Sequence, residues 1–336
     1  MSVTTHERPG VYSEYDASSV VQGRQGRKMV GMAAIHATAP AGVPQTVTSY
    51  EGALIAFGST GGQDMTELIR LALKNGAAGV VAVPVADEEG YEAAFAALAA
   101  MDDIGVVICD SVDREVQQSL RDSAAAASAA RRERIAVAAG GAGETVTELL
   151  ERAKALNSER VVLVAPGGTD EEGKAVSGLS LAAAVAGAIA GTTDPALPLG
   201  GAVLSGLYGL ETTYGDNDLD LLIRGGVTPA ERTGGVTSVV RGVTTRTTTD
   251  GTADTTWREL STILVVDDVI PGIRSALRSK FHRAKNTEQS RGAIRAMEEF
   301  FHTAGMKRMG RVVFAGAQGR GELPPSLERK IRRFWR

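Results

Sequence analysis

From Leu54 to Gly191 the chain repeats one pattern: a short apolar run, a polar turn, then a longer segment with apolar residues at helical spacing. The pairs are LIAFG with DMTELIRLALKNG, AGVVAVPV with YEAAFAALAAM, and IGVVICD with DREVQQSLRDSAAAASAARR. RIAVAAG with ETVTELLERAKALNSE and RVVLVAP with KAVSGLSLAAAVAGAIAG complete the series. Buried β runs separated by helices predict an α/β fold, a doubly wound, mostly parallel sheet covered on both faces. In DMTELIRLALKNG the spacing puts Leu68, Leu71 and Ala72 on one face and a helix stop at Gly76.

The flanks read differently. Residues 1–22 hold a Pro-Gly turn and an alternating VYSEY with no nearby hairpin partner, which predicts an extended arm. Such an arm must pair its backbone, either with a neighbouring copy or on its own domain, and the spacing leaves both open. After Pro195 come loops, then the Thr-rich VTSVVRGVTTRTTTDGTADTTW, predicting a hairpin that turns at Asp250-Gly251. Trp257 to Arg311 reads as strand, helix, helix, strand: the apolar run ELSTILVVDDVI, the proline-initiated PGIRSALRSKFHRA, SRGAIRAMEEFFHTAGM, and RVVFAG. The expected division is an arm over 1–22, an α/β domain over 23–250 ending in the Thr-rich β segment, and a smaller, basic α+β domain over 251–336.

Charge sharpens that division. The 336-residue chain carries a net −4, yet from Pro271 to the end 16 Lys or Arg face 5 Asp or Glu, leaving −15 on the remainder. This asymmetry points to a large acidic partner, or to pairing between unlike faces of identical copies. Aromatic residues make up 4% of the chain, few for stacking on bases, and no DNA or RNA module is recognisable, which weighs against nucleic acid. A 43% apolar, 23% charged composition is that of a globular protein with a substantial core. The single cysteine, Cys109, excludes an intramolecular disulfide framework and suits a reducing compartment. MSVTTHERPG lacks the apolar core of a signal peptide and no run reaches the length of a membrane span, so neither classical secretion nor membrane insertion is expected.

Candidate chemistry is thin. GTDEEGKA, Gly168 to Ala175, has phosphate-loop spacing, but Ala175 stands where a magnesium-binding hydroxyl belongs, and Asp170, Glu171 and Glu172 would repel phosphate. Cys109 sits at the end of a predicted strand, but Asp110 and Asp113 beside it raise a thiol pKa, so a buried structural role is expected. His6, His36, His282 and His302 have no partner at triad or ligand spacing. The adjacent acids Asp102-Asp103, Asp267-Asp268 and Glu298-Glu299 do not converge on a point, and solvated faces explain them. No metal or cofactor is expected. The catalytic alternative is an α/β metabolic enzyme for a phosphorylated or acyl substrate, using loops near Cys109, Gly140 or Pro166.

Several motifs in order nevertheless carry a resemblance. RPGVY at Arg8 to Tyr12, LAAAVAGAIAGTTDPALPLGGAVLSGL at Leu181 to Leu207, LLIRGGVTP at Leu221 to Pro229 and VVRGVTT at Val239 to Thr245 are followed by ILVVDDVIPGIRSALRSKF and KNTEQSRGAIRAMEEFF. Together they resemble the tail sheath proteins of contractile bacteriophages, a family that includes the sheaths of phage-tail-like bacteriocins and contractile injection systems. The resemblance implies a structural subunit, not an enzyme, stacked in hexameric rings around an inner tail tube and bounded by baseplate and tail terminator proteins. It also implies a place in the tail of a phage or phage-tail-like particle assembled in the bacterial cytoplasm. Arg8, Pro9, Gly10, Val11 and Tyr12 would form an arm that adds a strand to a neighbouring copy. Charge and helical spacing, not a family motif, assign Arg274, Arg278, Lys280, Arg283 and Lys285 to a tube-facing helix. Family members commonly end in a second linking strand, whereas here RVVFAG is followed by a Pro-Pro break and a basic tail. Either RVVFAG is that strand or the C-terminal arm is altered.

Overall fold

The computed structural model describes residues 28–281. It opens with β1 (Met29–Ile35), β2 (Gln45–Val47), α1 (Tyr50–Phe57), α2 (Met65–Lys74), β3 (Val80–Val85), α3 (Tyr91–Ala99) and β4 (Ile104–Cys109). Next come α4 (Arg114–Ala129), β5 (Ile135–Ala139), α5 (Val146–Leu156), β6 (Val161–Ala165), β7 (Gly168–Thr169), β8 (Ala175–Val176) and α6 (Leu179–Gly191). After these follow β9 (Val203–Leu204), β10 (Gly209–Leu210), α7 (Asp216–Arg224), β11 (Val227–Thr233), β12 (Val236–Val239), β13 (Thr248–Thr249), β14 (Thr252–Ala253) and α8 (Leu260–Phe281).

A nine-stranded sheet in the order β2-β3-β1-β4-β5-β6-β11-β12-β9 forms the frame. β3, β1, β4, β5, β6 and β11 run parallel, while the edges are extended by antiparallel pairing, β2 on β3 at one side and β12 on β11, then β9 on β12, at the other. Both faces are dry. On one side Phe57, Leu68, Leu71, Val185, Leu260 and Ile263 pack from α1, α2, α6 and α8. On the other, Tyr91, Leu120, Leu149 and Leu222 pack from α3, α4, α5 and α7. The doubly wound, mostly parallel sheet expected from the repeated pattern is therefore present, and Leu68, Leu71 and Ala72 share the buried face of α2.

Local chemistry sets the helix ends. Asp64 caps α2 by accepting from the Glu67 amide at 2.7 Å, and Thr145 with Glu148 forms a capping box at the start of α5. The Thr-rich hairpin is β13 with β14, turning at Asp250 and Gly251 with φ of 51° and 76°, the positive pair a tight hairpin turn needs.

Three element expectations are overturned. LIAFG is not a strand: it is the end of α1, started by Ser49, whose hydroxyl accepts from the Gly52 amide at 3.1 Å. An apolar run of that length carries no period to separate helix from strand. Its place in the sheet belongs to MVGMAAI, β1, a central strand whose Gly and Ala residues resemble a loop. The stretch after Pro195 is not loop alone, since α7 and β11 within it extend the parallel sheet beyond β6. Finally, ELSTILVVDDVI is helical, the first half of α8, with Pro271 inside the helix instead of starting it.

α2 and α6 touch backbone to backbone. A Cβ on Gly187 would lie 2.2 Å from the Ala72 carbonyl oxygen, closer than any side chain can sit. Gly187→Ala is expected to cost roughly 1–3 kcal/mol through overpacking, read as a lower urea midpoint at unchanged m. A midpoint equal to wild type would show that the two helices separate freely.

Candidate functional site

Parallel sheets bind ligands where the strand order reverses, here at the carboxyl ends of β1 and β4. That crevice is closed by its own side chains. The Ile35 amide donates to Asp110 Oδ2 at 2.8 Å, and the buried Tyr91 hydroxyl donates to Asp110 Oδ1. Burial pushes the Asp110 carboxyl up, against the Tyr91 and Ile35 bonds that favour its charge, and burial beside Asp110 pushes the Tyr91 phenol up as well. Cys109 is 4% exposed, and its thiol is pushed up to about 12, first by burial and further by Asp110, with only the contact to the Ser111 carbonyl opposing. The sulfur is a packed core atom, which fits the buried structural role expected of it.

GTDEEGKA forms the β7–β8 hairpin and not a phosphate cradle. The Asp170 amide donates to the Lys174 carbonyl at 2.9 Å and the Lys174 amide to Asp170 Oδ1 at 2.7 Å, which tightens the turn. α6 begins only at Leu179, so the loop does not lead into a helix N-terminus. His36 donates through Nε2 to the Phe57 carbonyl at 2.8 Å and joins β1 to α1. Among the described residues, no group of three or more His, Cys, Asp or Glu is placed to hold a metal, and no helix is long and apolar enough to cross a membrane.

Two buried arginines had no local signal. Arg152, 5% exposed, pairs with Glu144 and donates to the Val112 carbonyl at 2.7 Å and to Gln117 Oε1 at 3.1 Å. Arg134, 1% exposed, donates to the Leu98 and Met101 carbonyls, each at 2.8 Å, and burial lowers its pKa. Each fastens neighbouring segments of backbone at an end of the sheet.

The basic block enters the described structure through α8. Leu260 and Ile263 lie in the core, and Asp267 one turn on is 3% exposed, paired with Arg160 at the amino end of β6. The expectation that Asp267-Asp268 is a solvated pair is thus corrected at Asp267. A helix, unlike a strand, puts Leu260 and Ile263 on one face, and residue 267, one turn further on, joins that face where Arg160 meets it. Burial pushes its carboxyl up while the guanidinium pulls the other way, and Oδ1 is left without a hydrogen-bond partner. Asp102 pairs with Arg132 on the surface.

Of the tube-facing set, Arg274 pairs with Glu133, with 34% of its side chain exposed. Arg278 and Lys280 lie on α8, while Arg283 and Lys285 fall outside the described residues. So do the arm residues Arg8 to Tyr12, together with His6, His282, His302, Glu298-Glu299 and RVVFAG.

The architecture is shared with proteins of contractile particles. A chain of the anti-feeding prophage baseplate superposes with a TM-score of 0.67 at 18% identity, covering 90% of this chain and 85% of that chain. The sheath tail protein of Desulfitobacterium hafniense gives 0.66 at 14%, covering 90% of each. The helical sheath of the anti-feeding prophage in its contracted state gives 0.61 at 17%, covering 98% of this chain and 84% of that chain. No curated protein matches the chain in sequence. At these identities the likeness establishes the fold, that of a sheath-type α/β subunit. Residues 85–245 match the phage tail sheath protein central domain.

The Cys109 thiol has its folded pKa above its unfolded value of about 9. Its neutral, buried form therefore contributes fully below pH 9, and that contribution is lost as pH rises from 9 toward 12, by at most about 1.4 kcal/mol per pH unit. Over that window Cys109→Ala is expected to lose stability less steeply than wild type in urea titrations. Parallel curves would contradict a buried, neutral thiol.

Proposed function

We propose that the chain is the structural subunit of a contractile tail sheath, polymerising as stacked hexameric rings around an inner tail tube and contracting to drive that tube through a bacterial envelope. The observation that carries the reading is the sheath central-domain match over 85–245 lying inside a fold that aligns over nine-tenths of both chains with a sheath tail protein. In this reading the work of contraction comes from new contacts between copies, so the subunit is a structural part and not an enzyme, and it requires no cofactor. Its partners are further copies of itself, the tube protein, and the baseplate and terminator proteins at the two ends. Its place is the tail of a phage or phage-tail-like particle.

Arg8, Pro9, Gly10, Val11 and Tyr12 supply the linking arm, which adds a strand to a neighbouring copy's sheet. Arg274, Arg278, Lys280, Arg283 and Lys285 face an acidic tube exterior. Such exposed ion pairs are individually weak, which lets the contacts release together.

Mixed with its tube protein, the purified chain is expected to form rings or hollow helical tubes in negative-stain micrographs. Protein that stays monomeric at high concentration with the tube present would sink the proposal. Removing residues 1–20 is expected to leave a folded monomer that no longer polymerises, and normal polymerisation would refute the arm assignment. Tube attachment is expected to weaken as salt rises from about 0.1 to 1 M, where the screening length falls from about 10 to 3 Å. Attachment indifferent to salt would remove the basic helix from that contact.

A further inference from the structure

α8 is held to the α/β domain at two points of different character, with a weak joint between them. On the inner side of the joint, Leu260 and Ile263 are in the core and Asp267 is buried against Arg160. Beyond it, an ion pair whose arginine is partly open to solvent, Arg274 at 34% side-chain exposure with the more enclosed Glu133 at 9% on the loop before β5, reaches back to the domain. The joint is Pro271-Gly272. Proline has no amide hydrogen, so the Asp267 carbonyl loses its helical donor, and the ring crowds that same carbonyl. Gly272 is exposed, its φ is not positive, and an added Cβ would meet nothing within 4 Å. Neither space nor backbone conformation requires a glycine there, yet the position holds the poorest helix former after proline.

We infer that Pro271-Gly272 is a hinge and that the Arg274–Glu133 pair is its releasable latch. With the latch closed, Arg274 ties the outer half of α8 to the loop before β5. When it opens, the outer half, which carries Arg278 and Lys280 toward the basic C-terminal block, turns about residues 271–272. The Asp267–Arg160 pair stays in place, because separating it would strand a buried charge. The hinge is a property of the single chain and does not depend on the sheath reading. What does rest on that reading is its use, which is to let a subunit present its basic block in two orientations. There, an acidic partner that captures Arg274 also opens the latch.

The test is hydrogen exchange of the full-length, unassembled chain, followed by mass spectrometry of peptides from 268–281, with peptides from β4 and β5 as internal reference. Glu133→Gln and Arg274→Gln are each expected to speed exchange in the outer half of α8 about fivefold, the upper range for a partly exposed pair. Together they should do no more than either alone. The charge swap, Glu133→Arg with Arg274→Glu, is expected to restore slow exchange. Gly272→Ala, which fits without contact, is expected to slow exchange about fourfold or more by stiffening the joint. The inference is overturned if the single variants exchange like wild type, if Gly272→Ala changes nothing, or if the reference peptides accelerate as much as α8. That last outcome would mark general destabilisation. None of these readouts involves assembly, so failure here is distinguishable from failure of the proposed function.

Discussion

A parallel sheet leaves two apolar faces to cover, and the rest of this molecule follows from that requirement. β1, β3, β4, β5 and β6 are built almost entirely from Val, Ile, Ala, Leu and Gly, with burial running through β3, β4, β5 and β6 without interruption. Amphipathic helices such as α2 and α4 cover such faces with one side and meet solvent with the other. α6 is apolar all round and buried over most of its length, pressed between the sheet and α2 closely enough that Gly187 meets the α2 backbone. Close helix contact through small residues takes the place of the large aromatic anchors that this composition lacks.

The same requirement shapes the polar interior. Where the strands end, backbone carbonyls and amides must be satisfied without ordered ladder partners. Arg134, Arg152, Gln117 and Asp110 do this work, each bonded to loop backbone or to a neighbouring buried side chain. An α/β enzyme keeps its crevice at the strand-order reversal open for a ligand. In this protein Asp110 spans it from β4 to β1, with Tyr91 closing over the carboxylate. The end of the sheet is thus filled by the protein's own side chains.

α8 differs in kind. It joins a rigid α/β layer to the basic end of the chain, and its two attachments differ in how much burial backs them. Asp267 is enclosed and its pairing with Arg160 is costly to break, whereas Arg274 and Glu133 meet nearer to solvent. The two attachments therefore differ in burial, not in the type of bond.

The α/β class, the alternation of strands and helices from β3 to β6, the Thr-rich hairpin and the inert character of Cys109 and GTDEEGKA were all legible in the sequence. Each rests on local physics: periodicity, capping, turn chemistry, or the charge of immediate neighbours. The order of the motifs also resembles that of the sheath family. What escaped were features that long-range contacts decide. MVGMAAI became the central strand because β3 and β4 flank it, not because Gly and Ala favour strands, and LIAFG became helix because Ser49 caps it beside an edge already filled. ELSTILVVDDVI is helical because residues 260, 263 and 267 meet the core and Arg160 on one face. Arg160 lies 107 positions away in the chain. A local pattern carries propensity and charge. Which apolar run fills the middle of a sheet, and which carboxylate is buried, depends on partners that only the folded chain brings together.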